Sequence, residues 1–267
     1  AESGEQVHEL PGHGDRVWWA SFSPDGTRLV TGDFDEAQRT GAARVWNLTT
    51  GELACPPLQH AGYVERARFS RDGRHVLTAS EDGTARVWDA FTGQPITPPL
   101  RHAQPVRDAS FDRDGRRVVT AATDQTARVW DARTGEAITP PLRHQGVVWR
   151  ASFSHDGRNV VTASHDGTAR IWDAHTGEPI SPPLAHTDWV VHAEFSPDGR
   201  HVITASSDDT ARVWPLTSEV RTVDDIERVP QCLSAHHIDL SGGLVPLDSE
   251  GFVTQWQRLQ NAQRPGR

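Results

Sequence analysis

Histidine, hydroxyl and aspartate side chains occur together at regular distances along this chain. One such group consists of His60, Thr78, Ser80 and Asp82. These are the residue types of a Ser-His-Asp catalytic triad, in which histidine takes the proton of a nucleophilic hydroxyl and aspartate orients the histidine. The same group returns in copy after copy, however, and a single chain has no use for several identical triads. We therefore predict that the group is structural.

A tryptophan accompanies every copy of this group. Each tryptophan follows Ala-Arg-Val or Ala-Arg-Ile, and consecutive ones are 42 residues apart: Trp46, Trp88, Trp130, Trp172 and Trp214. A histidine opens each copy, at His13, His60, His102, His144 and His186. A period in the forties with this content indicates a repeat architecture. The sequence predicts repeats at residues 13–54, 55–96, 97–138, 139–180 and 181–216.

Each copy carries the pattern of a four-stranded meander. In the second copy, Val64–Phe69 and His75–Ser80 flank an Asp-Gly dipeptide, which is a strong hairpin signal. Thr84–Asp89 is the third predicted strand. Residues 94–100 contain three prolines, so this last segment must be an edge strand or irregular. The middle strand is apolar or small on both faces and therefore needs cover on both sides.

Radial stacking of such sheets gives each one two neighbours. The pattern His60…Thr78/Ser80-x-Asp82…Trp88-Asp89 resembles the WD40 repeat, and the resemblance extends over residues 7–215. It implies an all-β fold, a WD40-type β-propeller of four-stranded antiparallel blades. It also implies a buried, hydrogen-bonded set of His, Ser/Thr, Asp and Trp in each blade. The sets are His60, Thr78 or Ser80, Asp82 and Trp88; His102, Thr120, Asp124 and Trp130; His144, Thr162 or Ser164, Asp166 and Trp172; and His186, Thr204 or Ser206, Asp208 and Trp214.

The copies differ most at the start of the first strand, three, five and six residues after the histidine. Positions that vary inside a repeating framework are not specified by the fold. The resemblance implies that the first two of these positions open onto the narrow face and central channel, where partners dock, and Trp, Tyr and Arg are enriched at binding hot spots. Some of these aromatic residues, Trp19 above all, have the alternative of packing between blades. The predicted partner-binding residues are Arg16, Trp18, Tyr63, Glu65, Arg107, Trp149 and Trp189.

Two further features distinguish or link the copies. The first copy has five extra residues, in an acidic loop at residues 33–41 that is either functional or a tolerated insertion, with Phe34 interpreted as an exposed aromatic residue. An arginine also recurs at one third-strand position, and we predict that it pairs with a nearby aspartate in each repeat: Arg44, Arg86, Arg128, Arg170 and Arg212.

Composition limits the classes of function. The formal charge of −9 argues against a general binder of nucleic acid or anionic membranes. Cys55 and Cys232 are the only cysteines, which suits a reducing compartment. The chain has no apolar signal core and no apolar window of membrane-spanning length, so we expect a cytoplasmic protein. The remaining histidines lack metal-ligand spacing and no phosphate-binding loop is present, so we expect neither metal nor cofactor.

The two ends of the chain allow several arrangements. Residues 7–10 resemble the outer strand of a preceding blade and offer a fourth strand to the last repeat. The sequence is compatible with three arrangements: a closed ring of five blades, a ring of six blades, or part of a larger propeller. We predict that residues 217–267 form a tail that is mostly helical, with Thr222 as an N-cap and Phe252, Trp256 and Leu259 on one helical face. Trp256 also lies 42 residues after Trp214, so a decayed sixth blade is the alternative.

We expect a non-enzymatic propeller that binds a protein or peptide. The tail resembles that of large bacterial WD-repeat proteins, including some attached to Ser/Thr kinase or NTPase modules, which implies a sensor or scaffold in bacterial signalling. One alternative is a structural assembly module that makes contacts through its Pro-rich outer edges. The other is an enzyme built on a propeller, which would need an unrepeated constellation of acids, bases or ligands, and the sequence offers none.

Overall fold

A computed structural model describes residues 6–216, 236–238 and 244–246 of the chain. The chain divides into two compact units, Ala1–Leu216 and Thr217–Arg267. In the described part of the first unit all regular secondary structure is β-strand, arranged in five antiparallel sheets with one sheet for each repeat. The predicted all-β architecture is confirmed.

The strands follow one another in sequence order within every sheet. The first sheet contains β1 (Arg16–Phe22), β2 (Arg28–Phe34), β3 (Gly41–Asn47) and β4 (Leu58–His60). The second contains β5 (Val64–Phe69), β6 (His75–Ser80), β7 (Thr84–Asp89) and β8 (Leu100–Arg101). The third contains β9 (Val106–Phe111), β10 (Arg117–Ala122), β11 (Thr126–Asp131) and β12 (Leu142–Arg143). The fourth contains β13 (Val148–Phe153), β14 (Asn159–Ser164), β15 (Thr168–Asp173) and β16 (Leu184–Ala185). The fifth contains β17 (Val190–Phe195), β18 (His201–Ser206) and β19 (Ala211–Pro215).

The hydrophobic core lies between neighbouring sheets. Val118 and Val119 are adjacent on the middle strand β10 and point to opposite faces. Val118 packs with Leu77 of the second sheet, whereas Val119 packs with Val160 and Trp172 of the fourth. All of these side chains are at most 5% exposed. The prediction that the middle strand is buried on both faces is confirmed, and each sheet is stabilised by its neighbours rather than by a core of its own.

The turn between the second and third strands of a repeat requires a residue with positive φ. Gly83 and Gly167 provide it, each with a φ of 79°. Gln125 and Asp209 occupy the same position in the third and fifth repeats, with φ values of 66° and 63°. This left-handed conformation costs a residue with a Cβ atom about 1 kcal/mol or more, and the framework imposes it because the turn must return the chain into the third strand.

The fourth strands are shorter than predicted. Of the second repeat's residues 94–100, predicted as an edge strand or irregular, only Leu100 belongs to β8. Before it, a single bridge joins Pro95 to Trp88. Pro98 and Pro99 have no N–H to donate to a ladder, so regular pairing begins only after them.

The first and last sheets each leave one face uncovered among the described residues. Val17 of β1 is 48% exposed, although the valines at the equivalent position in the other repeats, such as Val64, are fully buried. Val213 of β19 is 66% exposed, whereas its equivalent Val87 is 1% exposed. In the other sheets the equivalent faces pack against a neighbouring sheet.

Residues 7–10 do not supply a fourth strand to the last sheet, so that prediction is wrong for the described structure. The segment is not a strand, and the fifth sheet has three strands only. His8 instead bonds through its Nε2 to the carbonyl oxygen of Leu48 at 2.8 Å, which holds the segment against the first repeat.

The described residues of the second unit form two short strands, β20 (His236–Ile238) and β21 (Leu244–Pro246), paired antiparallel. The favoured sequence interpretation was helical, and the alternative of a decayed sixth blade was the one that implied strands. The helices predicted near Thr222 and around Phe252, Trp256 and Leu259 lie outside the described residues. Within the described part of the chain, no helix has the length and apolar character needed to cross a membrane.

Candidate interaction surface

The predicted His/Thr/Asp/Trp sets are hydrogen-bonded chains. In the fourth repeat, His144 Nδ1 lies 2.9 Å from Asp166 Oδ2, and His144 Nε2 lies 2.7 Å from Thr162 Oγ1. Trp172 Nε1 donates to the same threonine oxygen at 2.9 Å. The network is satisfied when Nδ1 carries the proton and donates to the carboxylate, while Nε2 accepts the threonine hydroxyl. This is the connectivity of a triad, but Thr162 has no exposed surface, so no substrate can reach it.

The same bonds are formed in the second, third and fifth repeats. The histidine-to-threonine distance is 2.7 Å at His60, His102 and His186, and each tryptophan donates to that threonine. Threonine rather than serine is therefore the member of the set. Ser80 has a different task, because its hydroxyl donates to the Gly62 carbonyl and accepts from the Asp82 amide, both at 3.1 Å.

The first repeat departs from this arrangement. His13 and Trp46 both bond to Thr31, but the position of Ser80 is taken by Asp33. That carboxylate is buried, accepts from the Gly14 amide at 3.1 Å and pairs with Arg44. The acidic insertion after it extends the β2–β3 hairpin through a bridge between Asp35 and Thr40.

The prediction that an arginine at the third-strand position pairs with aspartate holds in two of the five repeats. Arg44 pairs with Asp33, and Arg212 lies 3.3 Å from Asp208. In the other three repeats the prediction is wrong, because no ion pair forms within the described residues. Those guanidinium groups lie 5.7–6.0 Å from the ring centroid of the tryptophan two positions along the strand, in cation–π geometry, in the pairs Arg86–Trp88, Arg128–Trp130 and Arg170–Trp172.

The electrostatics of the sets make the fold sensitive to acid. Burial by itself raises the pKa of Asp82, Asp124 and Asp166, but hydrogen bonds from the set histidine and the following threonine outweigh it and hold each pKa well below its usual range. Burial lowers the pKa of His60.

We therefore predict that acid destabilises the protein in two stages. A histidine whose folded pKa is depressed takes up protons preferentially when unfolded, so stability begins to fall below about pH 6.5. The aspartates contribute stability above their unfolded pKa of about 3.9 and lose it as the pH falls further. Thermal unfolding followed by circular dichroism from pH 8 to pH 3 measures both stages, and a melting temperature constant over that range would contradict the assignment.

A β-bulge turns the predicted binding residues away from the ladder. The register of the first strand skips one residue in every repeat, for example between Val148 and Arg150. The skipped residues are those five positions after the histidine: Trp18, Glu65, Arg107, Trp149 and Val191. Bulges leave one residue unpaired and redirect its side chain, which explains why this position can vary without changing the sheet. We call the surface formed by Trp18, Tyr63, Glu65, Arg107, Trp149, His165 and Trp189 the bulge surface.

Three stacked rings form one end of the bulge surface. The ring of His165 lies between two tryptophans, with its centroid 5.1 Å from Trp149 and 4.3 Å from Trp189 and interplanar angles of 17° and 9°. Trp189 nevertheless stays 52% exposed. Burial lowers the pKa of His165, and nearby Arg107 lowers it further, so the imidazole is neutral at pH 7. The stack is an aromatic platform that is partly open to solvent.

The other end of the bulge surface is also aromatic. Trp18 is 56% exposed and meets Tyr63 edge to face at 6.4 Å. Tyr63 stacks on Phe34, whose ring centroid is 3.5 Å away. Phe34 itself is 8% exposed, so the interpretation of this loop aromatic as exposed is wrong. Phe34 is the last residue of β2, and its ring packs against that of Tyr63.

Charged residues connect the two aromatic ends, and Glu81 is linked to the Tyr63 end because its amide donates to the Tyr63 carbonyl at 2.9 Å. Arg107 pairs with Glu65, lies 3.1 Å from Glu81, and has its guanidinium 5.7 Å from the Trp149 ring centroid. Burial raises the pKa of Glu65, and the charge of Arg107 opposes that rise. Arg16 does not join this group, because it faces Glu36 of the insertion at 3.5 Å. Six of the seven predicted residues thus lie in one chain of neighbours, and Arg16 stands apart.

Two residues that contact the predicted binding residues, His165 and Glu81, were not themselves predicted to take part in binding. They occupy the same repeat position, three residues after the set threonine, where the other repeats have Phe34, Thr123 and Ser207. This position varies as strongly as the bulge position, so comparison of the copies at that position would have revealed it. The stacking of one histidine between tryptophans from two repeats depends on the packing of neighbouring sheets, and no spacing in the sequence indicates it.

Comparison with protein families decides the classification. The family model "WD domain, G-beta repeat" matches residues 4–47, 56–89, 93–131, 140–173 and 177–215. The chain belongs to the WD40-repeat family. The matched segments end at the third strand of each repeat, and each contains the WD40 tryptophan of its hydrogen-bonded set.

Individual relatives share part of the WD40 region. The chain is 40% identical over 81 residues to human apoptotic protease-activating factor 1, a match that covers 27% of this chain and 6% of that protein. It is 31% identical over 81 residues to eukaryotic translation initiation factor 3 subunit I of Phaeosphaeria nodorum, covering 30% of this chain and 23% of the relative. The chain therefore spans less than a quarter of the length of either relative. Family and relatives together suggest a protein-interaction scaffold.

Proposed function

We propose that the protein is a non-catalytic scaffold that binds a protein or peptide through the bulge surface. The observation that carries this proposal is the stack of Trp149, His165 and Trp189, in which Trp189 is exposed and the other two rings are half-buried. Large exposed aromatic rings are costly to leave in water, and tryptophan is enriched among the residues that dominate interface energies. The three rings already pack on one another, so a partner that covers them restricts their side chains less than it would restrict separate ones.

The chemistry of the bulge surface suggests the kind of segment it binds. Two aromatic ends suit apolar or aromatic side chains of a partner. Between them, Arg107 is held by Glu65 and Glu81, so its orientation is set before binding. Such an arrangement favours an extended segment with an apolar anchor at either end and polar groups between them.

The cellular role of the protein is a prediction. The name of translation initiation factor 3 subunit I describes a component of a larger assembly, which supports a scaffold role here. We further propose a cytoplasmic protein that acts as sensor or scaffold in bacterial signalling with an attached kinase or NTPase module. These relatives are eukaryotic, so that part rests on the character of residues 217–267 alone.

Alanine variants of the two stacked tryptophans test the proposal. Peptides that bind the full chain are first selected from a random display library. Trp149→Ala and Trp189→Ala should each weaken their binding by a factor of about 30, since a hot-spot residue contributes about 2 kcal/mol. Isothermal titration calorimetry gives the affinities, and the melting temperature should change little because both side chains lie at the surface.

Phe91→Ala is the matched control, because Phe91 is 60% exposed and lies in the turn after β7, outside the bulge surface. It should bind the selected peptides as the unmodified chain does. Unchanged affinity in both tryptophan variants would rule out the bulge surface as the docking site, as would peptides that depend on Phe91 alone.

A further inference from the structure

A second group of charges lies on the first strands, one residue beyond the bulge position. Asp108 of β9 is buried, with 2% of its side chain exposed. Three arginines surround it: Arg68 at 3.2 Å, and Arg66 and Arg150 at 3.7 Å each. Arg66 and Arg68 are two residues apart on β5 and therefore share a face, and Arg150 approaches from β13. The first strands of neighbouring sheets lie against one another, which brings these side chains together.

The positive charges of this group are not balanced by the protein. Three guanidinium groups face one carboxylate, which leaves two positive charges in a chain whose formal net charge is −9. Glu65 also attracts Arg66, but its charge is opposed by Arg107, with which it pairs. Burial lowers the pKa of His192, and Arg150 and Arg68 lower it further, so His192 is neutral at pH 7. Glu194 lies 3.7 Å from His192 but is 64% exposed, so its charge is largely screened by solvent.

Part of the hydrogen-bonding capacity of the group is also unused, although Asp108 Oδ2 accepts from the Ala151 amide at 3.5 Å. Arg66 Nε and Asp108 Oδ1 are both buried, and neither has a hydrogen-bond partner among the described residues. Buried polar atoms in folded proteins nearly always have such partners. Trp19 fixes one side of the group, because the Arg66 guanidinium lies 4.2 Å from its ring centroid and Trp19 Nε1 donates to the Ala67 carbonyl at 2.7 Å.

We propose that Arg66, Arg68 and Arg150 bind a phosphate group. Guanidinium forks match the geometry of phosphate oxygens and form strong charge-assisted hydrogen bonds with them. A phosphate dianion neutralises the two excess charges, whereas a single carboxylate leaves one. Each arginine side chain is 23–28% exposed, so a ligand can approach the group from solvent. This site goes beyond the proposed docking function and does not depend on it.

Calorimetric titration of the full chain with sodium phosphate in a low-salt buffer tests the site. The unmodified chain should show saturable binding. Arg66→Gln and Arg150→Gln should each weaken it about tenfold, the loss expected for one charge-assisted hydrogen-bonding group. Arg158→Gln is the matched control, since Arg158 is 85% exposed and, among the residues that the structure describes, lies within 4 Å of the Asp156 carboxylate alone. Absence of saturable binding, or equal affinity in all variants, would overturn the proposal.

Asp108→Asn provides a test that does not remove an arginine. It takes away the negative charge that competes with the ligand, so phosphate should bind more tightly, and weaker binding would count against the site. This variant decides the question even if an arginine variant fails to fold. Trp149→Ala and Trp189→Ala should leave phosphate affinity unchanged, which separates this site from the bulge surface.

The source of the phosphate group is distinguished by a second titration. The tripeptide acetyl-Gly-phosphoserine-Gly-amide and its unphosphorylated form are compared with inorganic phosphate. Similar affinities for inorganic phosphate and the phosphorylated tripeptide indicate a site for a free phosphate or a small phosphate ester. A clear preference for the phosphorylated tripeptide over both other probes indicates recognition of a phosphorylated side chain. Either result supports the site, and binding of the unphosphorylated tripeptide as tightly as the phosphorylated one would contradict it.

Discussion

Replacing Trp172 with alanine is expected to lower the free energy of unfolding by about 3–5 kcal/mol, the range for removing a large core aromatic side chain. Trp172 is 5% exposed and packs into the cluster that joins the third and fourth sheets, together with Val119 and Leu142. Its loss leaves a cavity between two sheets and removes the N–H that bonds to Thr162. Urea unfolding followed by circular dichroism measures the change.

Two matched variants show which part of the Trp172 contribution is packing. Trp172→Phe keeps most of the buried area but loses the hydrogen bond, so its cost should be smaller than that of the alanine variant. Trp149→Ala removes a tryptophan of the same repeat from a partly exposed position, and its effect on stability should be under about 1 kcal/mol. A Trp172→Ala protein as stable as the unmodified chain would show that the ring is not held between sheets.

Replacing Asp166 with alanine is expected to have the next largest effect, a loss of about 3 kcal/mol. Its carboxylate accepts hydrogen bonds from His144 Nδ1, the Gln145 amide and both the amide and hydroxyl of Thr168. Hydrogen bonds to a charged group contribute about 1.5–3 kcal/mol, and donors left without partners in a buried site add a desolvation cost. The turn between β14 and β15 loses its anchor at the same time.

Asp156→Ala is the control for this effect. Asp156 also accepts two hydrogen bonds, from Ser154 Oγ and the Arg158 amide, but its side chain is 56% exposed. Water replaces the lost partner there, so the cost should stay under about 1 kcal/mol. Equal losses in the two variants, measured by the same urea titration, would mean that the His144 set is not the anchor of its repeat.

The repeating framework was predictable because its signals are local. Each copy contains its own strand pattern, in which the middle strand is apolar on both faces, its own turn between the first two strands and its own tryptophan. Because five copies share the pattern, a departure in any single copy does not obscure it. The hydrogen-bonded sets were predictable for the same reason, since their members recur at constant distances from His60 onward.

Predictions failed where the outcome depended on the packing of side chains, within or between copies, or on the ends of the array. Phe34 was expected to be exposed, yet Tyr63 from the next repeat covers it. Arg86 was expected to pair with an aspartate, yet it lies against the tryptophan of its own strand. Pairing of residues 7–10 with the last sheet was one of the arrangements left open, yet His8 bonds to the Leu48 carbonyl of the first repeat.

By itself the sequence determined the repeat length, the order of strands, the buried tryptophans and the candidate positions at which copies vary, because periodicity in side-chain type is a property of the chain alone. Only the tertiary structure decided that Thr162 rather than Ser164 joins the hydrogen-bonded set, that bulges aim Trp149 outward, and that three arginines converge on Asp108. Those outcomes depend on the register between strands and the packing of one sheet on the next, and residues 42 positions apart meet only when the sheets stand side by side.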